Sequence, residues 1–343
     1  MGNILITAPF DDENLKELKK VEDRGIKVFY ESWTETGKLL LPYELVERIP
    51  KDDIEILVVE AEKIFENVLQ VPQLKVLGVC RGNPVAVTDP IKATENGVLI
   101  INTPGRNASS VAELTIALMI NLIRRIIISN NLVKNKKYDN QLQFEQYTKY
   151  RGFTLEDKKI GIIGLGAVGF EVAKRLQCFG PDLYIFDPYV AEEKIEKIKG
   201  KRVELETLMA ESDIITIHAP VTKETIGMIN KDMISLIKPT TYLINTARSD
   251  LVDEDALIDA LINKKIAGLA LDVYKKEPLS RRSPLLKLPS DLNVILTSHI
   301  GGATYNTIVN HSKMIVENIK LYLDGRVPKN VYNKDVLTKF NLK

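Results

Sequence analysis

The stretch from Lys159 to Gly169 constrains this chain most. A short apolar run, Ile160 to Ile163, ends in a G-x-G-x-x-G pattern built on Gly164, Gly166 and Gly169, and a helical pattern follows at once. A second apolar run, Leu183 to Phe186, closes on Asp187, 18 positions after Gly169. This is the order of a dinucleotide-binding βαβ unit, in which each glycine has a task. Gly164 permits a tight turn, Gly166 removes a side chain where backbone must approach a pyrophosphate, and Gly169 lets helix and strand pack closely. The phosphates then face unpaired N–H groups at a helix N-terminus. Asp187 stands where a carboxylate accepts hydrogen bonds from the adenosine ribose and repels a 2′-phosphate, so NAD is the expected cofactor.

Apolar runs alternate with amphipathic stretches on both sides of this unit. Ile4–Thr7, Lys27–Tyr30, Ile56–Val59, Val76–Val79 and Val98–Asn102 read as strands of a first parallel sheet. Asn102-Thr103-Pro104-Gly105 breaks the pattern. From Ser109 a long apolar helix is expected to about Ile128, with Ser110 and Glu113 in capping-box register. Six further strands follow: Ile160–Ile163, Leu183–Phe186, Ile214–His218, Tyr242–Asn245, Gly268–Asp272 and Asn293–Thr297. The glycine fingerprint therefore opens the second series, which leaves substrate binding to the first hundred residues. A last helix is expected from Thr304 to Leu323.

In open α/β sheets, ligands bind beyond the carboxyl ends of the strands. Arg248 follows the fourth strand of the second series, Asp272 and Glu277 the fifth, and His299 the sixth. Arg248 offers a planar fork for a carboxylate and positive charge for a developing alkoxide. His299 can give or take a proton, its ordinary pKa being about 6.5. Glu277 beside it would favour the imidazolium and fix the ring. With a nicotinamide in the same cleft, these residue types point to hydride transfer at C2 of a 2-oxo or 2-hydroxy acid.

Composition excludes more than it proposes. Hydrophobic residues make up 45% and charged residues 27%, as in ordinary globular chains, and a net charge of +1 gives no electrostatic case for nucleic acid or acidic membranes. Lys134-Asn135-Lys136-Lys137 reads as a solvated segment. Cys80 and Cys178 make no disulfide framework, and the start of the chain lacks a secretion signal, so a cytoplasmic location is expected. His218, His299 and His311 are too scattered for a metal site, and none is expected.

Gly164 to Gly169, His218-Ala219-Pro220, Asn245-Thr246-Ala247-Arg248, Leu271-Asp272-Val273, Glu277-Pro278 and Ser298-His299-Ile300-Gly301-Gly302 together resemble the D-isomer-specific 2-hydroxyacid dehydrogenases. The likeness extends to Asn102-Thr103-Pro104-Gly105 and Ala112-Glu113-Leu114-Thr115, and is nearest to the phosphoglycerate dehydrogenase and glyoxylate/hydroxypyruvate reductase branches. It implies an α/β architecture of two Rossmann-like parallel-sheet domains. Residues 1–103 and 303–343 would form a discontinuous, flavodoxin-like substrate domain, and 104–302 the NAD-binding Rossmann domain. It implies Arg248, Glu277 and His299 as the catalytic set, with Asp272 on the nicotinamide carboxamide. Ala167, Val168 and Ala219 would line the cofactor, with Pro220, Thr246, Ala247 and Gly301 at the same edge. His218 reads as a packing residue on the cofactor side. The helix from Ser110 and the arm after it resemble the family's dimer-forming region, so a homodimer is expected.

Two departures bear on the substrate. Ser249-Asp250 follow Arg248 where small residues are usual. The loop Cys80-Arg81-Gly82-Asn83-Pro84 replaces a Gly-rich turn followed by Asp-Asn. Backbone N–H groups around Arg81, Gly82 and Asn83 are still expected to bind the substrate carboxylate, with Arg81 a candidate for a second anionic group. His311 is expected to be structural. A rival reading is an NAD(H)-sensing, co-repressor-like protein that keeps the fold and acts through partners. A dehydrogenase of formate is a third, disfavoured because that chemistry places Gln where Glu277 stands.

Overall fold

A computed structural model describes residues 2–137 and 143–343. The chain divides into two compact units, 1–107 with 304–343, and 108–303.

The first unit is a five-stranded parallel sheet, β1 (Asn3–Ile6), β2 (Val28–Tyr30), β3 (Ile54–Val59), β4 (Val76–Val79) and β5 (Leu99–Asn102), in the order β2-β1-β3-β4-β5. This is the flavodoxin-like order. Its strands are short apolar runs because helices cover both faces, so every position needs an apolar side chain. One face packs Ile4, Ile6, Ile56 and Val76 on Ile315 and Ile319 of the tail helix Tyr305–Leu323; the other packs Leu5, Leu57 and Leu77 on Leu45 and Ile49. Thr304 caps the tail helix by accepting from Thr307 N–H. The chain then returns along β5, where Ile101 and Val331 form an antiparallel bridge and Asn333 Oδ1 accepts from Ile100 N–H at 2.8 Å. No apolar run announces that return.

The second unit is a seven-stranded parallel sheet: β6 (Lys159–Ile163), β7 (Asp182–Phe186), β8 (Lys201–Arg202), β9 (Ile214–Ile217), β10 (Tyr242–Asn245), β11 (Gly268–Leu271) and β12 (Val294–Leu296). Their order is β12-β11-β10-β9-β6-β7-β8. Strand order reverses at β6, which pairs with β7 on one side and β9 on the other. That crevice is where such sheets bind ligands. The sequence reading gave six strands here. The seventh, β8, is two exposed residues on the edge with no hydrophobic signal.

The long helix differs from expectation at both ends. It runs Ala108–Arg124, so Ser110 lies inside its first turn, buried, and does not cap it. The apolar face already begins at Ala108, and packing of Ala108, Val111 and Ala112 outweighs the local cap signal. The helix stops short of Ile128 because Arg125 adopts a left-handed conformation (φ 51°), after which a new helix runs Ile126–Lys134.

Candidate active site

The glycine turn has the shape its sequence predicts. Gly164 has φ 89°, open to glycine, and a side chain there would meet the Ala219 backbone N at 2.7 Å. A side chain at Gly169 would sit 2.0 Å from the Gly164 carbonyl oxygen, whereas one at Gly166 would meet nothing within 4 Å. Gly164 and Gly169 are thus glycines for the protein's own packing. Gly166 leaves open a space that the protein does not fill. Beyond it begins the helix Ala167–Leu176, with no side chain capping its N-terminus, so its first N–H groups lack a side-chain acceptor.

Asp187 follows β7 and braces this turn. Its Oδ2 accepts from Leu165 N–H at 2.8 Å, and its Oδ1 accepts from Tyr189 N–H and Val190 N–H at 2.9 and 3.1 Å. Across the crevice, after β9, burial holds the His218 imidazole down at about 3, so it is neutral. Its Nε2 lies 2.9 Å from Thr216 Oγ1, while its buried Nδ1 has no partner among the described residues. Ala219 is buried and Pro220 exposed. The uncapped helix start beside Gly166, the Asp187 carboxylate after the neighbouring strand and the orphaned His218 nitrogen fit a dinucleotide.

The carboxyl ends of β10, β11 and β12 carry the other candidates. Asn245 curls the loop after β10 by accepting from Ala247 N–H and donating to the Arg248 carbonyl, both at 2.9 Å. Thr246 is buried, its hydroxyl 2.8 Å from that of Thr115 on the long helix. Arg248 emerges exposed, its Nη1 donating to the Ala247 carbonyl at 2.6 Å, and Asp250 is exposed beyond it.

His299 and Glu277 meet directly, with His299 Nδ1 2.6 Å from Glu277 Oε2. The second Glu277 oxygen accepts from Tyr274 N–H at 3.0 Å, which holds the carboxylate toward the ring. Both residues line a 550 Å³ cavity with Tyr274, Pro278, Leu279 and Leu296. Arg248 is not part of that lining.

Asp272 follows β11. It is buried, and its carboxylate is occupied inside the unit: Oδ1 accepts from Thr297 Oγ1 (2.6 Å) and Ile300 N–H (2.9 Å), and Oδ2 from Gly301 N–H (2.8 Å). These bonds pin the turn on which His299 sits at φ 55°. Tyr274 adds a second brace that sequence reasoning missed. Its hydroxyl donates to the Thr297 carbonyl at 2.7 Å, and burial, with the Asp272 and Glu277 carboxylates nearby, pushes the phenol up to about 12. Its place three residues before Glu277 was the available signal.

In the first unit, Arg81, Gly82 and Asn83 follow β4. The Arg81 N–H is already donated to the Val79 carbonyl (2.7 Å), so only the N–H groups of exposed Gly82 and Asn83 suit an anion there. Arg81 Nε donates to the Glu60 carbonyl at 2.7 Å, and Asn83 Oδ1 accepts from Val85 N–H at 3.0 Å. His311 is buried and structural, its Nδ1 2.6 Å from Arg106 Nη1 and its Nε2 2.7 Å from the Pro9 carbonyl.

Residues 116–301 match the model of the D-isomer specific 2-hydroxyacid dehydrogenase NAD binding domain. The chain belongs to this family. Its members are NAD-dependent oxidoreductases, and NAD is accordingly the cofactor. The D-3-phosphoglycerate dehydrogenase of Archaeoglobus fulgidus is 37% identical over 332 residues, which is 96% of this chain but 59% of that protein. The chain thus spans about three fifths of that relative's length. The glyoxylate reductase of Thermococcus litoralis is 33% identical over 93% of this chain and 96% of its own. Among solved structures, the PH0520 protein of Pyrococcus horikoshii matches with a TM-score of 0.76 at 29% identity, over 99% of this chain and 97% of that one. The two parallel-sheet domains expected from sequence are those of the family.

Proposed function

We propose that this dehydrogenase interconverts a small D-2-hydroxy acid and its 2-oxo acid, with His299 as the acid/base. The 2.6 Å contact between His299 Nδ1 and Glu277 Oε2 carries the reading. It fixes the ring so that Nε2 is left to exchange a proton with the substrate oxygen. The nicotinamide, when bound, supplies or accepts the hydride. Arg248 anchors the substrate carboxylate and stabilises charge on the reacting oxygen. Within the first unit, the N–H groups of Gly82 and Asn83 are the candidates for holding an anion. Asp272 acts by holding the His299 turn at the edge where the carboxamide would lie. Asp187 selects NAD over NADP.

The relatives include a glyoxylate reductase that this chain matches nearly end to end. Glyoxylate and hydroxypyruvate are therefore the substrates to test first, alongside pyruvate, 2-oxoglutarate and 3-phosphohydroxypyruvate, by following NADH consumption. Strong turnover of one of them supports the reading. Silence across all of them with NADH bound favours the sensing role.

A homodimer in the cytoplasm belongs to the same reading. Ile126, Ile127, Val133, Phe144 and Tyr147 of the arm after the long helix are exposed apolar side chains, the kind an interface covers. Part of that arm, 138–142, lies outside the described residues. Both cysteines are free, and no described helix is long and apolar enough to cross a membrane.

A further inference from the structure

The first unit carries a concavity that none of the candidate site residues lines. It measures 870 Å³ and is walled by the stretch 63–66, the stretch 85–92 and Tyr332. This is the size of a small-molecule site. Phe65, Val85, Ile91 and Tyr332 stand around it as exposed apolar side chains, Ile91 at 70%. Four such side chains around one concavity mark a surface that something covers.

The floor is fixed, and most polar groups of the rim already have partners. Ile64 N–H donates to the Val87 carbonyl at 2.8 Å, and Ile64 and Thr88 form a parallel bridge. Lys92 is paired with Glu66 at 3.6 Å and Glu95 at 3.1 Å. Asp89 caps the helix Pro90–Glu95, its Oδ1 accepting from the N–H groups of Ile91 and Lys92. Two groups stand apart. Lys63 Nζ donates to the Ala86 carbonyl, and among the described residues no carboxylate pairs with it. Thr88 is buried, and its hydroxyl has no partner among them. An unsatisfied buried hydroxyl and an unpaired ammonium on one apolar concavity call for the same thing, an acceptor with negative charge.

We propose that the first unit binds a small apolar carboxylate here. Its aromatic or branched body lies against Phe65, Val85 and Ile91, and its carboxylate pairs with Lys63 and accepts from Thr88. Val85 and Ala86 belong to the short turn Pro84–Ala86, which Asn83 caps by accepting from Val85 N–H. Occupancy therefore bears on the Gly82–Asn83 loop, and the acid acts as an effector of 2-oxo acid turnover. That effect, unlike binding itself, rests on the dehydrogenase reading.

The test is calorimetric titration of the intact protein with 3-phenylpropanoate, which has no C2 carbonyl to reduce, and with the neutral 3-phenylpropanamide. Wild-type protein and Arg248→Ala are expected to bind the acid alike. Lys63→Gln is expected to raise its Kd about tenfold, Thr88→Val to raise it severalfold and Ile91→Asp to abolish binding, while the amide binds about tenfold more weakly than the acid. The acid should shift the KM of the best 2-oxo acid in the wild type and not in Ile91→Asp. Absence of binding, or an amide that binds as tightly as the acid, would overturn the proposal. Binding lost in Arg248→Ala and kept in Ile91→Asp would assign the acid to the substrate site and overturn it as well. A change of oligomeric state in Ile91→Asp, read by sedimentation, would overturn it by making the concavity a face between copies. Protein that binds the acid and turns over no 2-oxo acid would keep the site and remove the effector role together with the dehydrogenase reading.

Discussion

Asp272 and His299 are two ends of one turn. The buried Asp272 carboxylate accepts the N–H groups of Ile300 and Gly301, and His299, just before them, is held with its backbone left-handed at φ 55°. A non-glycine residue pays roughly 1 kcal/mol for that conformation, so the carboxylate must hold it there. Asp272→Asn replaces one acceptor oxygen by a donor facing N–H groups. The account predicts a loss of about 2 kcal/mol in stability and a fall in kcat of about a hundredfold, with a smaller change in NADH affinity. Thermal unfolding and steady-state kinetics on one preparation check all three.

Two glycines of the turn are predicted to respond oppositely. Gly169→Ala would place a methyl 2.0 Å from the Gly164 oxygen, so the protein should be severely destabilised. Gly166→Ala meets nothing within 4 Å, so the fold should stand while NADH binding is lost. Circular dichroism melts and NADH titration separate the two. Intact binding in Gly166→Ala would show that the open space is not the cradle.

Asp187 should enforce NADH over NADPH, yet its removal should not make a good NADPH enzyme. Its carboxylate also holds Leu165, Tyr189 and Val190, so Asp187→Ser loosens the turn that any dinucleotide needs. The expected result is a loss of NADH affinity of about tenfold or more, with the NADPH/NADH preference narrowed. Kd values for both nucleotides decide it.

Stability of the first unit should fall with acid. Burial, helped by the nearby Arg106 charge, holds the His311 imidazole down at about 4, although its bond to the Pro9 carbonyl works the other way. In the unfolded chain it titrates at about 6.5, so between these values the unfolded state binds more protons. Its contribution is therefore complete above about pH 6.5 and is lost as pH falls toward 4, by about 1.4 kcal/mol per unit at most. Urea unfolding across that range should show the slope, and His311→Gln should flatten it.

Much of this was legible because parallel strands are buried on both faces. Runs such as Ile160–Ile163 and Tyr242–Asn245 cannot hide, and each ends where the site begins. The glycines were legible because their spacing has a steric cause. Asp272 was read only in part: its partners are backbone N–H groups of Ile300 and Gly301, which no residue type announces. Ser110 misled because a local cap signal lay inside a helix whose start is set by packing. The bridge at Val331 and the two exposed residues of β8 left no hydrophobic trace.

In the proposed function, His299 moves the proton and does not hold the cofactor. That division is tested most directly by His299→Gln, assayed for 2-oxo acid reduction on the best substrate and for NADH affinity by fluorescence. The account predicts that kcat falls by about a thousandfold while the Kd for NADH stays near that of the wild type. Near-normal turnover, or a loss confined to NADH affinity, would contradict it.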